Sequence, residues 1–218
     1  IEVKEVMTKY PQGGERTLIY ATTGREINSS MLPADAGCVV DNVDTVVAVY
    51  KAVILGRPVM NRIVTVTGDA IASPKNFTVL TGTNMEELIE AAGGLKTGAA
   101  KVISGGPMMG FAMFDLHVPC VKTTSAFLCL EKDAVSEAQK QMTACINCGR
   151  CVRVCPGRVL PARLATLAER GDMAGFEKLN GMECCECGCC SYVCPAKRPL
   201  TQSIKSMRKM VLASRRKK

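Results

Sequence analysis

The chain has 218 residues, thirteen cysteines, one histidine, no tryptophan and a formal charge of +8. Its length allows one or two domains and a core that buries roughly 70% of the unfolded surface, so disulfide staples are not needed for folding. An apolar fraction of 47% excludes bulk disorder, and no apolar run approaches the roughly 18–20 residues that cross a bilayer. The start, Ile1-Glu2-Val3-Lys4-Glu5, is neither a signal peptide nor a methionine start. The cysteines therefore read as thiolates in a reducing compartment, and an odd number cannot all pair.

Charge divides the chain. Residues 1–135 carry 12 Lys+Arg and 14 Asp+Glu, whereas residues 136–218 carry 16 and 6. Ten of the thirteen cysteines, Cys145 to Cys194, lie in the second region. A chemically distinct module begins near residue 136.

In chain order, Lys9 to Glu15 is turn chemistry, and Arg16–Tyr20 is predicted to be a short strand. A helix is predicted from Thr45 to Leu55: Val46, Val47, Val49, Tyr50, Val53 and Ile54 recur at helical spacing, Asp44 caps its start, and Gly56 with Pro58 ends it. Residues 1–60 show no start-to-finish fold and read as the last part of a larger domain.

Residues 62–67 and 76–80 are predicted strands, rich in β-branched side chains. Thr83 to Glu86 fits a capping box ahead of a helix with Leu88, Ile89 and Ala92 on its apolar face and Gly93-Gly94 at its end. Further strands are predicted at Lys101–Ile103 and Ala126–Leu130. This order over residues 61–135 predicts an α+β domain of β-grasp type. The run Gly105 to Gly110 lacks the lysine and helix of a phosphate loop and reads as a surface loop. His117 has no second histidine to complete a metal site and reads as structural. Cys38, Cys120 and Cys129 read as small buried hydrophobes.

The strongest signal is the pair Cys145-x2-Cys148-x2-Cys151-x3-Cys155-Pro156 and Cys184-x2-Cys187-x2-Cys190-x3-Cys194-Pro195. This is the bacterial ferredoxin run, in which three closely spaced thiolates reach three corners of a [4Fe-4S] cube and the fourth ligates the other cube. The spacing therefore predicts one cluster on Cys145, Cys148, Cys151 and Cys194. A second is predicted on Cys184, Cys187, Cys190 and Cys155. Cys185 and Cys189 break the register and are predicted not to be ligands. The alternative chemistry is two tetrahedral zinc sites.

The spacer 156–183 is rich in helix formers, and Leu200–Ala213 is predicted to be a helix with Leu200, Ile204, Met207 and Val211 on one face. This predicts a helical two-cluster ferredoxin domain over 136–218. The tail Ser214 to Lys218 reads as a basic docking run for acidic protein or anionic lipid, or as a solvated end.

Several segments together resemble the C subunit of the Rnf ion-translocating electron-transport complex. They are Tyr10-Pro-Gln-Gly-Gly-Glu15, Leu32-Pro-Ala-Asp-Ala-Gly37, Val64-Thr-Val-Thr-Gly68, Ile103 to Gly110, and Cys187 to Leu200. The resemblance implies the end piece of a flavin- and NADH-binding type domain over 1–60, a soluble-ligand-binding β-grasp domain, and the two-cluster module. It implies electron transfer between NAD(H) or flavin and ferredoxin, with other Rnf subunits and ferredoxin or a cluster-bearing subunit as partners. It also implies a peripheral place on the cytoplasmic face of the cell membrane. The family's flavin loop is expected N-terminal to Ile1, so FMN and NAD(H) are expected only with that region. The chain is accordingly expected to be a C-terminal fragment, with no catalytic residue of its own.

Two other functions compete: a flavin-dependent cobalamin reductase-like iron-sulfur protein and a zinc-stabilised β-grasp binding module. Nucleic acid is not an expected partner, because an oxidised cubane with four thiolates carries a formal charge of about −2 and two of them offset part of the local positive charge.

Overall fold

A computed structural model describes residues 1–216. It contains two compact units, one of Val43–Lys140, the other of Ile1–Asn42 together with the chain from Gln141 onward.

Helices and strands are numbered along the whole chain. The first helix, α1 Glu15–Thr23, belongs to the two-segment unit. The Val43–Lys140 unit holds α2 Val43–Leu55 and α3 Met85–Ala91. Its strands are β1 Asn61–Thr67, β2 Lys75–Leu80, β3 Lys101–Ser104, β4 Phe111–Ala112 and β5 Ala126–Leu130. They form one sheet in the order β2-β1-β5-β3-β4. β1 pairs antiparallel with β2 and parallel with β5, and β3 runs antiparallel to β5. This mixed sheet, with its first and last strands parallel at the centre, is the predicted β-grasp arrangement.

The burial pattern follows from strand alternation. Val64 and Val66 are fully buried while Ile63 faces solvent. Leu88 and Ile89 of α3, with Ala92 at its end, close the core together with Met85, Val102, Phe127 and Cys129. Gly68 turns out of β1 with φ 123°, and a Cβ there would collide with the Cys129 backbone. The predicted capping box is replaced by a simple cap one residue on. Asn84, not Thr83, caps α3, accepting the Glu86 N–H at 3.0 Å, because an Asn side chain is short enough to reach back to the second amide of the helix. Helix α4, Ala134–Lys140, is additional to the predicted elements. Asp133 starts it by accepting the Val135 and Ser136 N–H groups and also pairs with Lys101. Helix α2 forms where predicted but begins at Val43, so Asp44 lies in its first turn rather than capping it, and none of its residues is buried.

In the other unit, the segment predicted as a strand at Arg16–Tyr20 is helix α1 instead. Its ends are the reason: Gly14 is the N-cap with Glu15 in the first turn, and left-handed Gly24 closes the helix by donating its N–H to the Tyr20 carbonyl at 2.9 Å. The C-terminal part carries α5 Arg150–Arg153, α6 Pro161–Glu169, α7 Met173–Lys178, α8 Cys189–Tyr192 and α9 Leu200–Arg216. The helical spacer is thus two helices rather than one, restarted where Asp172 caps α7 by accepting the Gly175 N–H at 2.8 Å. The apolar face of α9 is buried at Leu200, Ile204, Met207 and Val211, as its spacing predicts. Ile204, Met207 and Val211 pack with Leu164 and Phe176. Ser214–Arg216 of the basic run continue α9, while Lys217 and Lys218 lie outside the described residues.

Candidate metal centre

All thirteen cysteines are free thiols. The two cysteine runs fold alike. Residues thirty-nine positions apart share unusual backbone: Asn147 and Glu186 have φ 53° and 57°, and Arg158 and Lys197 have φ 50° and 54°. Gly149 and Gly188, at φ 70° and 83°, turn each loop into α5 and α8. Left-handed glycines at these points give the two loops the same curl.

A cavity of about 310 Å³, including space open to solvent, is lined by Cys184, Cys187 and Cys190 of the second run. Cys155, the last cysteine of the first run, lines it too, as do Cys185, Cys189 and Thr201. Cys155 and Cys184 pack against the same apolar cluster of Val159, Leu164 and Phe176. Burial pushes the Cys184 thiol up, as it does the Cys190 thiol, so metal binding here must displace protons. The surroundings oppose that rise: the Glu186 N–H donates to the Cys184 sulfur at 3.4 Å, and the Arg208 charge acts on the same thiol. Arg208 pairs with Glu186, and its Nε is buried with no partner.

Around the first run, Cys151 is buried in an apolar cluster with Ala165, Leu200 and Cys190, and Cys194 packs against that cluster. Arg198, held by Glu169 at 2.6 Å, feels the charges of both Cys145 and Cys194. Cys145 is half-buried and Cys148 is exposed. Each group of cysteines therefore has one arginine within electrostatic reach, and each arginine is anchored by a glutamate.

Among the described residues no three Cys, His, Asp or Glu side chains converge on a single-ion site. A tetrahedral zinc site needs four ligands about 2 Å from one point, whereas a four-iron cube spreads its thiolates around a larger core. A pocket lined by cysteines of both runs, an N–H donor at sulfur and an unpartnered buried guanidinium nitrogen fit the cube.

Of the remaining cysteines, Cys185 is exposed and Cys189 half-buried. A hydrogen bond with Cys187 raises the Cys185 thiol. Cys120 and Cys129 are core residues as expected, but Cys38 is only half-buried, since the turn around Pro33–Ala36 leaves it at a surface. His117 pairs with Glu86 at 3.0 Å near the surface.

Sequence reasoning missed the contacts that residues 1–42 make with the second run. The Tyr10 hydroxyl donates to the Cys187 carbonyl at 2.8 Å. Glu183 accepts the Ser29 N–H, at 2.9 Å and 3.0 Å to its two oxygens, and the Ser29 hydroxyl, and it pairs with Arg16 at 2.9 Å. Nothing local in either segment announces these pairs.

This geometry defines an iron-sulfur protein of the two-[4Fe-4S] class, and residues 144–197 match the 4Fe-4S dicluster domain family. Residues 1–51 match the Nuo51 FMN-binding domain family and residues 63–112 the SLBB domain family. The chain is 45% identical over 217 residues to the C subunit of the Na(+)-translocating ferredoxin:NAD(+) oxidoreductase complex of Acetobacterium woodii, covering 100% of this chain and 48% of that protein. It is 43% identical to the C subunit of the proton-translocating complex of Clostridium ljungdahlii, covering 95% of this chain and 45% of that protein. The C subunit of the ion-translocating oxidoreductase complex of Pseudomonas aeruginosa is 46% identical over 72% of this chain and 20% of its own length. Along its own length the chain is similar to the C subunits of ion-translocating oxidoreductase complexes, and it spans about half the length of the first two relatives. Among the described residues no helix is long and apolar enough to cross a membrane.

Proposed function

We propose that the chain is the electron-transfer part of an ion-translocating ferredoxin:NAD oxidoreductase, working between a flavin and NAD(H) on one side and ferredoxin, or a cluster-bearing partner subunit, on the other. In this reading residues 1–60 close a flavin- and NADH-binding type domain, residues 61–135 are the β-grasp domain, and residues 136–218 are the two-cluster module. The subunit lies peripherally on the cytoplasmic face of the membrane, against the other subunits of its complex.

Cys145, Cys148, Cys151 and Cys194 hold one cluster, and Cys184, Cys187, Cys190 and Cys155 hold the other. The observation that carries this is Cys155 lining one cavity with Cys184, Cys187 and Cys190 although it is the last cysteine of the other run. When bound, each [4Fe-4S] group supplies a one-electron carrier whose potential is set by hydrogen bonds, charge and solvent exposure at its sulfurs. The chain's own residues set those conditions. Ala165 and Leu200 shield Cys151 and Cys190 from water. Arg198 and Arg208 bring positive charge to the two groups of sulfurs. The exchange of a cysteine between the runs ties the two sites together at short range, which suits electron passage.

Anaerobic reconstitution tests the reading. Two four-iron cubes predict about eight iron and eight sulfide per chain, with a brown colour bleached by dithionite and by reduced ferredoxin. Cys155→Ser removes about half of the iron, while Cys185→Ser leaves it near normal. Stoichiometric zinc without sulfide, or equal losses in the two variants, overturns it.

A further inference from the structure

The two cysteine runs are repeats offset by thirty-nine residues, and within that repeat two positions differ in a way that bears on the sulfurs. Ser191 in the second copy corresponds to Val152 in the first, and Thr201 corresponds to Ala162. The backbones do not account for a difference between the sites: α5 and α8 span corresponding residues, and α6 and α9 begin at corresponding residues. Nor does solvent at the third sulfur of each run: Cys151 is 9% exposed and Cys190 is 8% exposed. What differs beside these two sulfurs is hydroxyl chemistry.

Three hydrogen bonds link these groups. The Thr201 N–H, one of the amides left unpaired at the start of α9, donates to Ser191 Oγ at 2.9 Å. The Ser191 hydroxyl donates to Thr201 Oγ1 at 2.9 Å. Thr201 Oγ1 lies 3.3 Å from Cys190 Sγ. The direction of the last bond is fixed once Cys190 is a thiolate ligand, because that sulfur has no proton to give. Thr201 has accepted from Ser191, so its own proton is free for the sulfur. Ser191 is held by the helix amide, so the relay is oriented from the backbone outward. At the matching point of the first copy, Ala162 packs near Cys151 as an apolar side chain with no proton to offer.

The geometry points to Thr201, oriented by Ser191, as a positioning residue that raises the reduction potential of the cluster held by Cys190 above that of the cluster held by Cys151. The reduced form carries one more negative charge, and a donor aimed at a ligating sulfur stabilises that form more than the oxidised one. Two sites with near-identical backbones thereby acquire different affinities for an electron. The inference rests on the ligand reading proposed above.

The test is a redox titration of the full chain, reconstituted anaerobically and followed by electron paramagnetic resonance, with iron and sulfide measured on each sample. The wild type should show two midpoint potentials. Thr201→Val should move the higher one to a more negative value and leave the lower one in place, with iron and sulfide unchanged. Thr201→Ser, which keeps the hydroxyl, should retain the wild-type value, which separates the hydrogen bond from packing if the valine variant loads poorly. The reciprocal pair Val152→Ser with Ala162→Thr should move the lower potential upward. Full loading with both potentials unmoved by Thr201→Val, or both moved equally, overturns the inference alone. A chain that takes up no sulfide overturns the ligand reading with it.

Discussion

Tyr10 donates its hydroxyl proton to the carbonyl oxygen of Cys187, 177 residues later in the chain and 2.8 Å away. Burial raises the Tyr10 hydroxyl, and the charges of Cys187, Cys189 and Cys185 add to the effect, so the group stays protonated and remains a donor through the physiological range. Tyr10→Phe deletes one partly buried neutral hydrogen bond and should cost about 1 kcal/mol of unfolding free energy. Anaerobic urea denaturation measures it, and an unchanged midpoint would show that water replaces the phenol without loss.

Glu183 ties Ser29 and Arg16 to the start of the second cysteine run. Burial raises its carboxyl, but the Ser29 hydroxyl and N–H together with the Arg16 charge outweigh that, and the net shift is downward. A carboxyl depressed in the folded state contributes stability above its unfolded value of about 4.3, and the contribution disappears as pH falls through the lower folded value. Hydrogen exchange over residues 15–31 should therefore be slow at neutral pH and lose protection in acid. Glu183→Gln should show fast exchange already at neutral pH, with a loss of about 1.5–3 kcal/mol if the charge-assisted bonds are the main tie.

Asp133 does two jobs with one side chain, capping α4 and pairing with Lys101. Its hydrogen bond with Lys101 holds its carboxyl below the usual range despite an opposing effect of burial. The sign is that of Glu183: the contribution is present above the unfolded value and is lost on acidification. Asp133→Ala should lower stability by about 1–2 kcal/mol, the size of a lost cap with a modest ion pair added. Thermal unfolding checks it, and Asp133→Asn, which retains a capping oxygen, should fall between the two.

The parts legible in the sequence are those with a local cause. The strands of the β-grasp sheet follow from β-branched alternation, and the buried face of α9 follows from Leu200, Ile204, Met207 and Val211 at helical spacing. The cysteine runs announce their chemistry by spacing. Arg16–Tyr20 reads as a strand because its composition tolerates one, while the caps that frame a helix there, Gly14 and left-handed Gly24, lie outside that window. The Glu183 and Tyr10 contacts are illegible because their partners are more than 150 residues away. The Ser191–Thr201 relay lies between these cases. Aligning the two runs on each other singles out both residues, but only the fold shows that Thr201 reaches a sulfur.

Gly68 gives a sharp test of the other unit. With φ 123° and the Cys129 backbone against its Cα, any side chain there meets both an unfavourable conformation and a collision that no rotamer relieves. Gly68→Ala should cost more than about 3 kcal/mol or prevent the β1–β5 pairing altogether. Retained wild-type melting would show that the two strands can part enough to admit a methyl group.

One unit of this protein is assembled from two stretches that the other unit separates in sequence, Ile1–Asn42 and the chain from Gln141 onward. That arrangement has a consequence on the ribosome. Tyr10 emerges 177 residues before Cys187. At elongation rates of about 5–20 residues per second, it waits roughly 9–35 s for its acceptor. During that interval the intervening Val43–Lys140 unit is complete, whereas the Tyr10 and Ser29 contacts with Cys187 and Glu183 must wait for their partners. These contacts are thus among the last to form, and in nascent chains stalled between Lys140 and Cys187 the Tyr10 hydroxyl should lack its Cys187 acceptor while the β1–β5 sheet is already paired.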